Sequence, residues 1–574
     1  MSTASPTVRF GTFEVDLQSR ELRKQGMRIR LEEKPFQILE LLLETPGHVV
    51  TRKALCDRLW PGTFVGYNHS LNTAVNKLRE LLGDSAQSPR FVETIPRRGY
   101  RFVAPVKNAR RPSPSQGKAM VAVLPFENLD CGAEQEYFAD GLTEEMISQL
   151  GQLDPKRLRV IARTSAIQYK DTKKPIGVIA TELGVGHILE GSIRRDGVRI
   201  RITAQLIEAR GQTHLWSATY DRELRNILSV QQEVARQVGR ALALELLPRN
   251  PSSPATADPE AHEAYLHGRF LWGKRSENEL KKAIECFEKA LSIDPSCSRS
   301  HSGIADCYGL LCWFGAFPPR EAGPLAEAAA LRAVALDDSR SEAHASLGLV
   351  RYWYNWDWND AEEKFLRAIE LNPSYATARQ WYAAYLNSMG RFEEAQRELE
   401  KARELDPLSL IIRMNAADPL FYARQYDRAI EHLHMLLEHE PQFFPALFNL
   451  GRAYVQKGLY DEAIAAYEKT LQLSGNRQAF PALAHAYALA GRAADAINIL
   501  EDLNKREECR YIASPLLARI HLGLGRKDQA FEWLQRGIEE RSFWITMLKV
   551  DPVYDEIRSD PRFRDLLRQV NLYH

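Results

Sequence analysis

Between Ser70 and Leu82 the chain carries hydroxyl, carboxamide and cationic side chains at helical spacing. Leu71, Val75, Leu78 and Leu82 recur at i, i+4, i+7 and i+11, the stripe of a helix with one apolar face. Ser70, Asn72, Thr73, Asn76 and Lys77 then lie off that stripe, and Arg79 lies toward its edge. Amides, hydroxyls and cations are the groups that hydrogen-bond base edges and phosphates in the major groove of a duplex. A second set follows directly. Phe91 to Ile95 and Tyr100 to Val103 read as the two strands of a hairpin, with Pro96-Arg97-Arg98-Gly99 as a tight basic tip and Arg101 beyond it. Such a tip reaches phosphates or the minor groove beside a helix. Tyr100 and Phe102 are expected in the core, where they anchor the hairpin.

Several elements must hold these groups in place. Val8 to Asp16 and Met27 to Leu31 alternate apolar and polar residues, as strands do. Pro35 opens a helix with Phe36, Leu39, Leu42 and Leu43 on its apolar face. Thr51 is placed to cap a second helix, with Leu55 and Leu59 inward and Trp60-Pro61-Gly62 as its stop. Charge is segregated to match. Residues 1–110 hold 18 Lys or Arg against 11 Asp or Glu, whereas the whole chain is only +1, so the remainder is acidic. Concentrated positive charge is what phosphate binding needs.

Residues 8–105 resemble the winged-helix output domain of the OmpR/PhoB family, in its CadC-like one-component form. The residues that carry the resemblance are Leu71-Asn-Thr-Ala-Val-Asn-Lys-Leu-Arg-Glu-Leu-Leu82 and Thr94-Ile-Pro-Arg-Arg-Gly-Tyr-Arg-Phe102. The resemblance implies that the 70–82 helix enters the major groove and that the Arg97/Arg98 wing contacts an adjacent groove or phosphates. Lys77 stands where the family often has a base-contacting arginine, and it lacks the fixed guanidinium fork. The family usually joins this domain to a phosphorylatable receiver. Only seven residues precede the first strand, so no receiver is expected and control is expected from the C-terminal side.

After an Arg/Pro/Ser-rich linker at 108–117, strands and helices alternate over 118–247, the pattern of an α/β domain. Expected strands are 119–126, 158–162, 187–194 and 198–208, with helices at 144–153, 176–183 and 224–247. Phe138-Ala-Asp-Gly-Leu-Thr-Glu-Glu145, Val160-Ile-Ala-Arg-Thr-Ser165 and Leu189-Glu-Gly-Ser-Ile-Arg-Arg195 resemble a TolB-N-terminal-like domain. Asp140, Glu144, Glu145, Arg163, Ser165 and Glu190 lie near strand ends, where such domains bind ligands. Turn and capping roles are the expected ones.

From 260 the chain repeats itself. Copies of an Ala-led helix begin at Ala283, Ala326, Ala361, Ala395, Ala429, Ala463, Ala496 and Ala530, a period near 34 residues. That period is the tetratricopeptide repeat (TPR) signature, and it gives stacked helical hairpins over 260–541, with a capping helix and tail at 542–574. Small alanines permit close helix approach, and the glycines at 390, 458, 491 and 525 permit the turn between helices. Tyr352, Trp353, Tyr354, Trp356 and Trp358 are either packing, the expected role, or an exposed binding patch. His432, His434 and His439 are expected to be solvated rather than metal ligands.

The expected architecture is therefore multidomain α+β: a winged helix over 1–107, a central α/β domain and an all-α TPR superhelix. The seven cysteines form no CxxC or Cys/His metal spacing, and the longest apolar stretches outside the first domain are too short to span a bilayer. Catalytic residues, cofactors and metals are not expected, nor is membrane contact, and the cytoplasm is the expected location. Double-stranded DNA is the expected partner. RNA polymerase or another protein is expected on the repeats, and a homodimer on the DNA. The alternative is a TPR scaffold whose winged helix serves protein–protein contact.

Overall fold

Alternating apolar side chains in the first hundred residues build two small sheets around three helices. The computed structural model describes residues 7–10, 13–16, 21–24, 27–29, 31, 33–44, 49–59, 68–85, 87, 89–95, 98–104, 107–109, 119–129, 136–154, 157–196, 199–223, 227–242, 258–474, 479–506 and 511–573. The chain divides into two units, Met1–Gly117 and Lys118–His574.

In the first unit the order is β1 (Thr7–Phe10), β2 (Phe13–Asp16), β3 (Glu21–Lys24), β4 (Met27–Ile29), α1 (Glu33–Glu44), β5 (Val49–Thr51), α2 (Arg52–Leu59), α3 (Asn68–Leu82), β6 (Val92–Ile95), β7 (Gly99–Phe102) and β8 (Lys107–Ala109). One antiparallel sheet runs β4-β3-β2-β1-β8, and the other runs β5-β7-β6. The alternation over Val8–Asp16 is two strands rather than one, with Phe10 opposite Phe13. A period of two survives a reversal of direction, so the pattern alone hid the turn. Residues 107–109 pair with β1, so this strand takes up the start of the expected linker. In the core Phe10 stacks on Phe13 and meets Phe91 and Phe102 edge-on, with Phe10 and Phe102 4.9 Å apart, and these rings tie the two sheets together. Thr51 caps α2 by accepting from the Ala54 N–H at 3.2 Å. The Trp60-Pro61-Gly62 stop lies outside the described residues.

The second unit opens with β9 (Ala119–Val123), β10 (Glu127–Asn128), α4 (Glu136–Gly151), β11 (Leu158–Val160), α5 (Arg163–Ala166), α6 (Ile176–Leu183), β12 (His187–Asp196), β13 (Arg199–Glu208), β14 (Thr213–Glu223) and α7 (Ile227–Ala241). The sheet order is β11-β9-β12-β13-β14. β9 is parallel to both of its neighbours, and β12 to β14 form an antiparallel meander. Val121 and Val123 face the core that includes α4 and α7, while Ala122 and Leu124 face the α6 side. Burial on both faces explains the unbroken apolar run there. β14 escaped the sequence reading although Trp216, Ala218 and Tyr220 alternate with Ser217, Thr219 and Asp221; it is an edge strand with no residue fully buried. The helix expected at 224–247 is described as α7, 227–241.

Eight helical hairpins follow, from Pro259–Gly273 packed on Glu277–Ile293 to Ser514–Gly523 packed on Lys527–Glu539. All eight repeat-leading alanines are 0% exposed, because each lies where two helices approach too closely for a larger side chain. Gly390, Gly458, Gly491 and Gly525 take left-handed backbone (φ between 72° and 81°) at the turns. Tyr352, Trp353, Trp356 and Trp358 are buried, so the aromatic cluster is packing. His432 and His434 bond the Arg413 carbonyl and the Tyr454 hydroxyl, and no group of metal-ligand type gathers among the described residues. No described helix is long and apolar enough to cross a membrane.

The repeats do not leave their inner helices bare. α4 lies against the first hairpins, with Glu144 bonded to Arg269 and Glu145 to Arg299 at 2.5 Å. Ser165 donates to Asp406 at 2.5 Å, and the Ala162 N–H donates to the Leu405 carbonyl. Of the polar strand-end residues, Glu144, Glu145 and Ser165 thus belong to a seam between the α/β domain and the repeats. Asp140 pairs with Lys170, Arg163 stands near Asp140 and Glu144, and Glu190 accepts from Gln205. The C-terminal segment folds back onto both the last hairpin and hairpins far upstream, through Arg519–Asp551 (2.9 Å), Arg424–Asp555 (2.7 Å) and the Trp358 indole on the Val570 carbonyl (2.8 Å).

Burial works against ionisation of Glu145, yet the guanidinium groups of Arg299 and Arg340 hold its pKa down at about 2. His262 is 3% exposed, and neither ring nitrogen has a partner among the described residues. Burial, reinforced by Arg299, depresses its pKa to about 3. The folded protein therefore favours neutral His262, a contribution that is complete above the ordinary histidine range and is lost as pH falls from about 6.5 toward 3. Asp406, raised to about 6 chiefly by burial, acts with the opposite sign. His262→Leu removes one term and leaves the other. The variant is expected to lose less stability than the parent between pH 6.5 and 4, read as the urea midpoint at each pH; equal losses would refute the assignment.

Candidate nucleic-acid interface

The apolar stripe of α3 is inside, with Leu71, Val75, Leu78 and Leu82 each at most 2% exposed. That fixes the helix's rotation and leaves Ser70, Asn72, Thr73, Asn76 and Lys77 at the surface. Arg79 is a correction. It follows Val75 by four residues and precedes Leu82 by three, so the helical phase turns it inward, and it is 6% exposed. Its Nε and Nη2 donate to the Val92 carbonyl at 3.2 and 2.7 Å, and Nη2 also donates to Thr94 Oγ1 at 2.7 Å. Arg79 ties the wing to the helix.

The other end of the same junction is held by Asp84. Gly83 turns the chain with left-handed backbone (φ 65°), and the Asp84 carboxylate accepts from the N–H groups of Ser85, Arg90, Phe91 and Val92 at 2.6–3.1 Å. Partial burial pushes its pKa up, but these four donors outweigh it, and the carboxyl titrates below its ordinary range.

Asn72 faces solvent, yet its carboxamide is engaged. Oδ1 accepts from Arg52 Nη2 at 2.6 Å and from the Tyr100 hydroxyl at 2.8 Å, and Arg52 Nη1 donates to that same hydroxyl at 2.9 Å. Arginine only donates, so the atom facing it must be the oxygen. An Asn reads adenine by accepting and donating together; here the acceptor is taken, and Asn72 joins α2, α3 and the wing. Arg52 is the residue missed by the sequence reading. Its position just after the Thr51 cap was the available signal.

In the wing, Arg98 is exposed, its N–H donates to the Ile95 carbonyl, and its carbonyl accepts from Arg52 N–H. Gly99 is required beside it, since a Cβ there would lie 2.0 Å from the Val50 carbonyl oxygen of β5. Arg101 is half-exposed and pairs across the hairpin with Glu93 at 2.6 Å. Arg97 lies outside the described residues. Tyr100 and Phe102 are 3% and 0% exposed, in the core as expected.

A helix face of Ser70, Thr73, Asn76 and Lys77 thus stands beside an exposed Arg98 on a fixed wing. Residues 26–102 match the family described as transcriptional regulatory protein, C terminal. The chain carries an OmpR/PhoB-type DNA-binding domain. Behind it, residues 117–237, likened above to a TolB-N-terminal domain, match the second domain of HilA/YgeH-like transcriptional regulators, and 274–297 and 415–477 match tetratricopeptide repeats. The chain is 23% identical to the transcriptional regulator HilA of Salmonella typhimurium over 400 residues, 69% of this chain and 70% of HilA. It is 36% identical over 256 residues to a putative adenylate cyclase 3 of Rhizobium meliloti, and it spans 43% of that relative's length. Among solved structures, the RstA DNA-binding domain of Klebsiella pneumoniae in complex with RstA box is 30% identical, covering 17% of this chain and 96% of that one (TM-score 0.16).

The OmpR/PhoB-type domain therefore separates two kinds of residue. Asp84→Ala leaves the part-buried N–H groups of Phe91 and Val92 without their acceptor and is expected to cost about 1–3 kcal/mol, read as faster hydrogen exchange of the β6–β7 amides. Because the folded pKa is depressed, the advantage of Asp84 over Asp84→Asn is full above the ordinary carboxylate range and fades as pH falls through the folded value. Unchanged exchange in Asp84→Ala would overturn the assignment.

Proposed function

We propose that this chain is a sequence-specific, one-component regulator of transcription acting in the cytoplasm. α3 lies in the major groove of promoter DNA, and the wing reaches the adjacent groove or phosphates. The observation that supports this reading best is the rigid pairing of an exposed polar helix face with Arg98. Arg79 and the Asn72–Arg52–Tyr100 group hold the two at a fixed offset, so both meet the duplex without reordering. Asn76 and Lys77 are the base-facing side chains of this reading, Ser70 and Thr73 bond phosphates or base edges, and Arg97, Arg98 and Arg101 supply phosphate contacts.

Control enters from the second unit. The α/β domain and the repeats share a buried polar seam, so a signal taken up by either is felt by both. The repeats are the proposed contact for RNA polymerase or another protein, and a homodimer on tandem half-sites is part of the same reading. No catalysis is proposed: the likeness to a cyclase is to part of that protein.

Binding of the full chain to promoter fragments is measured across a salt series beside Lys77→Ala, Asn76→Ala and Arg98→Ala. Affinity is expected to fall steeply with salt, and Arg98→Ala to flatten the slope by about one phosphate's worth. Asn76→Ala and Lys77→Ala are expected to cost about 1–3 kcal/mol on the preferred fragment and less on random DNA. No binding at low salt, or three variants indistinguishable from the parent, would sink this reading.

A further inference from the structure

Six of the eight hairpins among the described residues share one backbone device, and two of the six depart from its sequence rule. Five residues before the buried alanine, four hairpins place a glycine with φ between 72° and 81°. At the same position, before Ala361 and Ala429, stand Trp356 and Arg424, with φ of 55° and 62°. Left-handed backbone is unfavourable for a residue with a Cβ, so these two positions are set apart from the glycines. Arg424 bonds Asp555 and the Val550 carbonyl and fastens the C-terminal segment. Trp356 presents a different case. It follows a π-helical turn over Arg351–Asn355, is stacked beneath the Arg541 guanidinium at 4.6 Å, and lines a cleft of about 680 Å³.

Around that cleft the hairpin contributes Asn355, Asp357 and Asn359, and the C-terminal segment contributes Lys549 and Asn571. Its size is that of a small-molecule pocket. Asn355 is fixed from behind, its carboxamide bonded to Glu327 and Arg351. Asp357 uses one oxygen to cap the helix Trp358–Leu371. Asn359 and Asn571 are exposed. π-turns and left-handed non-glycine residues gather at binding sites, where a strained backbone aims a particular side chain.

We infer that this cleft binds a small, neutral, polyhydroxylated ligand of the saccharide class. One carboxylate and one ammonium leave the lining without net charge. The exposed carboxamides of Asn359 and Asn571 each donate and accept, as hydroxyl groups do. Trp356, Trp358 and Tyr385 lie behind the wall, mostly buried, with only their edges lining the cleft. The cleft's volume suits a small molecule rather than a peptide helix. A ligand here bridges the hairpin and the C-terminal segment and tightens their docking. Its service as the regulator's effector rests on the DNA-binding reading, whereas its binding does not.

The test titrates the full chain, without DNA, with D-glucose, N-acetyl-D-glucosamine and maltose, following tryptophan fluorescence and calorimetry to millimolar concentrations. At least one sugar is expected to saturate, with Asn359→Ala and Asn571→Ala each weakening Kd about tenfold, or about 1.4 kcal/mol, at unchanged Tm. Trp356→Phe, which keeps an aromatic ring packed beneath Arg541, is expected to fold and to lose the fluorescence response. Absence of saturation by all three sugars, binding indifferent to both asparagine variants, or saturation by L-alanine or L-lysine in their place would overturn the inference. DNA affinity is then measured with and without the bound sugar; loss of DNA binding alone would leave the cleft's assignment standing.

Discussion

Where α3 gives way to the wing, a run of backbone donors and acceptors must turn a corner without regular hydrogen bonds, and satisfying them governs the first domain. Four N–H groups converge on Asp84 and one carbonyl on Arg79. A buried amide left unpaired costs as much as several good contacts return. The wing's angle to the helix is therefore set by electrostatics at the corner, and the aromatic core behind it need only be filled. The exposed helix face and the wing are thereby held in one register.

The second unit obeys the same rule with full charges. Glu144 and Glu145 of α4 meet Arg269 and Arg299 of the repeats in a nearly dry seam, and Asp551 meets Arg519 and Arg452 at the far end. Isolated, any of these charges would be prohibitive to bury; paired, they specify one alignment of the modules. The carboxyl end of the parallel strands is a common ligand site in α/β domains, and here the segment after β11 is pressed against the repeats through Ala162 and Ser165.

Periodicity made much of this legible. The Leu71–Leu82 stripe located the exposed helix face, and the recurrent alanine located every hairpin, because steric exclusion at a helix crossing writes the same small residue each time. Most of what escaped was non-periodic. Arg79 is a cation at a core phase, and its carbonyl partner lies thirteen residues away. Asn72 looks like a base reader until its oxygen is seen bonded to Arg52, twenty residues upstream. β14 is an edge strand paired only with β13 among the described residues, and its short alternation of Trp216, Ala218 and Tyr220 was passed over.

A stack of repeats ordinarily behaves as a one-dimensional chain, in which each hairpin is steadied by its neighbours and the last ones fray first. Here the final segment is fastened back onto hairpins far upstream, at Trp358, Arg424 and Arg452. Fraying from that end would break contacts to several hairpins at once rather than to one. The array is consequently a closed mechanical loop, in which opening is a shared event and the C-terminal hairpins are as well protected from a protease as those in the middle.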